Sequence, residues 1–224
     1  MYLFRSTVGR KILMALTGLV MLLYVSAHML GNMSAFIGAE AMNAYAARIQ
    51  GLGPLIWGAR LALLVALYLH VFYGIQLTVE NYDSKGTYSV RKYRMAIFAS
   101  RNMIWTGSLI AVYLFYHLFH FTFGVIHPEL FAGRNPDAAG RPDVFGMVIL
   151  GFRHPAVSLI YIAAMVVLSF HLVHGIQSLF QTGGANSEKT MPLVAKAGLV
   201  AAIIISLGFI SVPLAVFAGA LRMR

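Results

Sequence analysis

Apolar residues in this chain neither alternate nor keep to one helical stripe; they run together. Five stretches, at about 12–34, 55–79, 101–126, 155–180 and 194–220, are predominantly apolar. Each is long enough for the roughly 20 residues that an α-helix needs to cross a bilayer. The pattern predicts an all-α integral membrane bundle of five transmembrane helices, with residues 1–224 forming one domain. The connection "AFIGAEAMNAYAARIQGLGP" (35–54) predicts a short surface helix ended by Gly51, Gly53 and Pro54. Residues 127–154, rich in Pro, Gly and Asp, predict an ordered turn region outside the membrane. Pro213 predicts a kink in the fifth span, which a membrane bundle tolerates. The first span begins like a secretory signal, with Arg5, Arg10 and Lys11 before it and Val25-Ser26-Ala27 resembling a cleavage site. Its apolar run continues past that site, so it is read as a retained span.

Composition agrees with the pattern. Only 11% of residues are charged, against about a quarter in soluble domains. The chain has no cysteine, so it offers no disulfide, thiolate nucleophile or iron–sulfur ligand. A net charge of +10 would suit nucleic acid in a soluble protein; beside membrane spans it sets topology, and no nucleic-acid partner is expected. With the N-terminus inside, ten Lys and Arg fall on inner segments and seven on outer ones, and "VRKYR" (90–94) sharpens the bias. The expectation is a cytoplasmic N-terminus and an outer C-terminus.

Six histidines then change the picture: His28, His70, His117, His120, His171 and His174 all lie within apolar spans. Ionisable groups in a bilayer are costly and face the bundle interior, which makes them functional candidates. At about 1.5 Å rise per residue, His70 and His171 lie roughly 22–24 Å below the outer starts of spans two and four. By the same rise, His28 and His117 lie about 24 Å from the inner starts of spans one and three. The histidines therefore form two pairs at two depths, as two bis-histidine haems would require. Two internal echoes choose among them. "HVFYGIQ" (70–76) and "HLVHGIQ" (171–177) share H-x3-G-I-Q, which aligns His70 with His171. "TGLVMLLYVSAH" (17–28) and "TGSLIAVYLFYH" (106–117) share T-G-x9-H, which selects His117 over His120. Gly74 and Gly175, one turn from their histidines, would let a flat macrocycle approach the backbone. His120 and His174 become residues at the haem edge or behind the ligands.

Rival chemistries find little support. No H-E-x-x-H zinc motif, phosphate-binding glycine loop or G-x-S-x-G elbow occurs. The seven acidic residues avoid the span interiors, which counts against a carboxylate-driven pump. The alternative of another class is a haem-free transporter or proton-relay bundle.

The chain resembles the single-subunit, di-haem cytochrome b membrane anchor of succinate dehydrogenase/fumarate reductase. The likeness rests on "STVGRKILMALTGL" (6–19), "HMLGN" (28–32), "GAEAMNAYA" (38–46), "HVFYGIQ" (70–76), "YHLFHF" (116–121), "DVFGMVILGFRHPAVSLIYIAAM" (143–165) and "FHLVHGIQSL" (170–179), in that order. It implies two b haems clamped by the first four spans, His70/His171 on the inner and His28/His117 on the outer. It further implies flavoprotein and iron–sulfur subunits docked on the cytoplasmic face of a bacterial inner membrane, and menaquinone as exchangeable substrate. Ser6, Arg10 and Lys11 could bind quinone or a haem propionate, or serve only as positive-inside anchors. Glu40 could handle protons near the outer haem, or simply complement a helix N-terminus. "VRKYR" could contact the iron–sulfur subunit or lipid headgroups.

Overall fold

The computed structural model describes residues 6–83, 102–185 and 187–223. Most of those residues are helical, with no strand among them; only an isolated bridge pairs Pro136 with Pro142. In chain order the α-helices are α1 (Thr7–Met33), α2 (Ala39–Gln50), α3 (Pro54–Asp83), α4 (Met103–His117), α5 (Val144–Phe152), α6 (Pro155–Thr182) and α7 (Thr190–Phe217). Five of them, α1, α3, α4, α6 and α7, are long and apolar enough to cross a membrane.

Local chemistry explains the ends. α1 starts earlier than its apolar run because the Ser6 hydroxyl accepts from the Gly9 amide at 3.0 Å and caps it. α4 does not run on to residue 126. It loosens into a π-turn at Leu118–Thr122 and closes where the Phe123 amide donates to the Leu118 carbonyl at 2.8 Å. Pro213 lies inside α7, fully buried.

The long helices run antiparallel in sequence order. Extensive packing joins α6 to α7 and α1 to α3, with α4 against α6 next; α3 and α6 share no comparable contact. The connection before Pro155 is more than the turn region the sequence predicts. Its last part is the helix α5, whose residues are almost all buried. "VFGMVILGF" is apolar on every side and too short to span, so it shows no period that would mark it as a helix. With α2 it caps the end of the bundle away from Thr7, over a core of Ala35, Met42, Phe145, Ile149, Phe152, Val157, Tyr161 and Val212. Below, this is the capped end and its opposite the Thr7 end.

Polar groups clamp the cap. Asn43 on α2 is 1% exposed. Its amide donates to Asp143 at 2.9 Å and Asp137 at 3.2 Å, and its carbonyl oxygen accepts from the Phe145 amide at 2.9 Å. Asp143 also caps α5 by accepting from Gly146. Every buried polar group of the Asn43 side chain is thus engaged.

Candidate functional site

At the Thr7 end, α3 and α6 bring His70 and His171 face to edge, ring centroids 6.4 Å apart and planes at 62°. Each ring is met by a threonine from a neighbouring helix. Thr17 Oγ1 on α1 lies 3.2 Å from His70 Nδ1, and Thr106 Oγ1 on α4 lies 3.2 Å from His171 Nδ1. The glycine after each threonine makes room. A Cβ on Gly18 would sit 3.3 Å from His70 Cε1, and one on Gly107 would sit 3.4 Å from His171 Cε1. With Nδ1 occupied on both rings, Nε2 is the nitrogen left for a ligand.

Nearer the capped end, α1 and α4 bring together His28 and His117, with centroids 5.9 Å apart and planes at 77°. Tyr24 stacks on His28 at 5.6 Å, and Phe209 of α7 lies 5.7 Å away. The Asn32 amide donates to the His28 carbonyl at 2.8 Å and lies 3.5 Å from His28 Nε2. His117 Nδ1 is 3.3 Å from the Tyr161 hydroxyl, which also lies 3.1 Å from His120 Nδ1. The π-turn carries His120 into the aromatic core, 3% exposed and stacked on Phe121 at 4.0 Å. Beyond it His127 lies 5.8 Å away, stacked on the exposed His154 at 4.8 Å.

Both pair spacings fit a metal-centred macrocycle. Imidazole nitrogens bind metals at about 2.0 Å, and the ring centre lies about 1 Å farther, so trans rings have centroids roughly 6 Å apart. The donor chemistry fits too: two neutral imidazoles per site suit a low-spin haem iron. Among the described residues, no three His, Asp or Glu converge as a metal-binding group. The two levels are set by the chain itself, since Thr17 and His28 stand three helical turns apart on one face, roughly 16 Å along the axis.

The remaining sequence candidates separate clearly. Gly175 would place a Cβ in open space and Gly74 would meet only Met14 Cε at 3.7 Å, so neither glycine crowds its histidine. His174 is partly buried one turn from His171. The Ser6 hydroxyl is used in the helix cap, and Lys11 is exposed. Arg10 is buried and ion-paired with Glu80 of α3; its Nε has no partner among the described residues. "VRKYR" and the rest of residues 84–101 lie outside the described residues. Sequence reasoning missed Thr17, Gly18, Thr106, Gly107 and Tyr161 as neighbours of the histidines. The T-G-x9-H echo contained the first four and was used only to choose between His117 and His120.

At the aqueous cap, charge is paired. Arg141 donates to both Glu40 oxygens at 2.8 and 2.6 Å and to Asp137 at 2.9 and 2.7 Å. The Arg141 guanidinium beside Asp137 holds that carboxyl down at about 2 and depresses Glu40 as well. Glu40 is therefore held in an ion pair at the surface.

Residues 1–100 match the family described as the succinate dehydrogenase/fumarate reductase transmembrane subunit. That stretch holds Thr17, Gly18, His28 and His70, and none of the second set of motifs. Comparison with curated proteins and with solved structures found no match.

Proposed function

We propose that this chain is the membrane anchor and electron-transfer subunit of a succinate:quinone oxidoreductase, carrying electrons between an iron–sulfur subunit and menaquinone with two bis-histidine b haems. One observation carries the reading: four helices supply two histidine pairs, at 6.4 and 5.9 Å, on two levels of one apolar bundle. The match of residues 1–100 supports the same assignment. His70 and His171 would hold the haem at the Thr7 end, and His28 and His117 the one nearer the capped end. Bound haem would supply a one-electron iron centre at each level.

The residues around the pairs have distinct tasks. Apolar walls keep water from the imidazoles and lower the local dielectric, which strengthens the hydrogen bonds that orient them. Arg10, with one guanidinium N–H still to satisfy, is the best of the three basic-end candidates for a haem propionate or a quinone carbonyl. Glu80 fixes the direction of that guanidinium. With no cysteine and no flavin-binding fingerprint, the chain takes its electrons from partners. We place a flavoprotein and an iron–sulfur subunit on the Thr7 end, at the cytoplasmic face of a bacterial inner membrane, with the C-terminus outside.

A line of side chains favours a second reading, a haem-free proton relay. His154, His127, His120, Tyr161 and His117 lead from the exposed cap into the bundle. A reduced-minus-oxidised optical spectrum with pyridine haemochrome quantitation of the purified complex separates the two. Two b haems per chain and succinate–menaquinone activity are expected; a chain without haem overturns the proposal in favour of the relay.

A further inference from the structure

We infer that Thr17 and Thr106 are positioning residues that select the tautomer of the histidine on the adjacent helix and so present its Nε2 lone pair to the iron. This rests on the proposal that His70 and His171 hold a haem. The argument is one of proton supply. A threonine hydroxyl has one hydrogen, and Thr17 spends it on the Leu13 carbonyl at 2.7 Å, with the Met14 carbonyl at 3.2 Å as second acceptor. Thr106 donates to the Met103 carbonyl at 3.1 Å. Each hydroxyl oxygen can then only accept from the nearby imidazole, so Nδ1 carries the hydrogen and Nε2 is unprotonated.

Back-bonding of threonine to its own helix is common; the contact that follows is less so. In both cases the same oxygen meets a histidine 3.2 Å away on another helix, and the next residue is a glycine against which that ring rests. Two independent helix pairs, α1 with α3 and α4 with α6, build the same clamp. A methyl in place of the hydroxyl would leave the His171 Nδ1–H without an acceptor, while His70 would keep only the backbone carbonyl of Met14, so the loss should be larger on the Thr106 side. A Cβ on Gly18 or Gly107 would press on the ring edge.

The motif T-G-x9-H thereby serves both levels. Its threonine and glycine seat the neighbour's histidine at the Thr7 end, and its own histidine belongs to the pair near the capped end. Because an acceptor on Nδ1–H makes the imidazole a stronger electron donor, the clamp also holds the potential of that haem down.

The test compares Thr17→Val, Thr106→Val and the double variant with Thr17→Ser and Thr106→Ser in the purified complex. Haem is counted by pyridine haemochrome, potentials come from redox titration, and ligand geometry from EPR of the ferric state. Valine keeps the shape and loses the oxygen, so the haem at the Thr7 end should be held about 10- to 100-fold less tightly, as for other lost partners of metal-bound histidines. What remains of it should titrate at a more positive potential with an altered EPR signal. The haem of His28 and His117 should be unchanged, which also reports that the bundle has folded. Serine should restore the wild-type values. Two haems in the wild type with the same content, potential and EPR in both valine variants would overturn the inference alone. If valine costs both haems, serine decides: recovery supports the clamp, and equal loss overturns it. A wild type lacking the His70/His171 haem would overturn the underlying proposal as well.

Discussion

Replacing Tyr161 with phenylalanine removes one oxygen from the point where α4 and α6 meet. The ring packs edge-to-face with Tyr113 at 5.2 Å and Phe152 at 5.0 Å, and phenylalanine keeps those contacts. What is lost is an acceptor or donor for two imidazoles, His117 at 3.3 Å and His120 at 3.1 Å. The hydroxyl has one hydrogen, so it donates to one ring and accepts from the other. His120 is 3% exposed, so water cannot replace the missing oxygen. A net hydrogen bond is worth about 1 kcal/mol, and an orphaned buried polar atom costs about 1–3 kcal/mol. Together these put the destabilisation at roughly 2 kcal/mol. At about 2–4 °C per kcal/mol for chains of this length, Tm should fall by about 4–8 °C in thermal unfolding of the detergent-solubilised protein. The same change should disturb only the haem of His28 and His117, because Tyr161 contacts neither His70 nor His171 among the described residues. Adding His120→Phe removes the orphan, and the double variant should regain part of the loss, a coupling readable in a double-mutant cycle. An unchanged Tm, or equal disturbance of both haems, would refute the bridging role of the hydroxyl.

Other outcomes follow from the same geometry. Replacing His70 or His171 with alanine should remove the haem at the Thr7 end, and replacing His28 or His117 the other; His120→Ala should keep both, as pyridine haemochrome counts would show. Imidazole planes at 62° and 77°, kept on binding the proposed haems, would leave the two dπ orbitals of each iron close in energy. Both ferric haems should therefore give strongly anisotropic low-spin EPR spectra, whereas rhombic spectra of near-parallel ligands would contradict the ring orientations. For the cap, Arg141 depresses Asp137 to about 2 from an ordinary value of 3.8. A carboxyl with a depressed folded-state pKa gives stability that is present above its unfolded value and lost as pH falls towards 2. Thermal stability should accordingly drop between pH 4 and 2, and Asp137→Asn should flatten that part of the profile. Crosslinks from the iron–sulfur subunit should land on the N-terminal segment and on residues 80–100 and 181–193, and crosslinks confined to 35–54 and 127–154 would reverse the proposed orientation.

Much of the fold was legible because bilayer spans are written in hydrophobicity alone. The five long helices are where the apolar runs are, and their ends moved where local chemistry intervened, as the Ser6 cap does at α1 and the π-turn does at α4. α5 was illegible for the converse reason. A short helix buried on all sides has no polar face to betray its period, and its local signal is a single N-cap, Asp143, while Asn43 reaches across from α2 to hold it. The histidine pairing could be sought in sequence because depth follows from a constant rise per residue. Partners across helices could not, because rotation about a helix axis is set by packing. That is why Gly18 and Gly107, which make the close contacts with the imidazoles from neighbouring helices, were not picked out as their neighbours.

The two sites also differ in what surrounds them, and this bears on how they can work as two centres instead of one repeated. The pair near the capped end sits beneath the aromatic core and is tied through Tyr161 to His120, in a part of the chain held by Asn43 and Arg141. The other pair is held by single hydroxyls, and farther towards the Thr7 end the Arg10–Glu80 ion pair joins α1 to α3. A cation close to a redox centre favours its reduced form by Coulomb attraction, and a paired cation much less so. Glu80 would therefore offset part of what Arg10 would do to a haem held by His70 and His171. Glu80→Gln would leave the guanidinium unopposed, and the haem of His70 and His171 should become easier to reduce while the haem of His28 and His117, roughly 16 Å farther along the helices, shifts far less. Redox titration of that variant measures both at once, and equal shifts in the two haems would remove Arg10 from the neighbourhood of either.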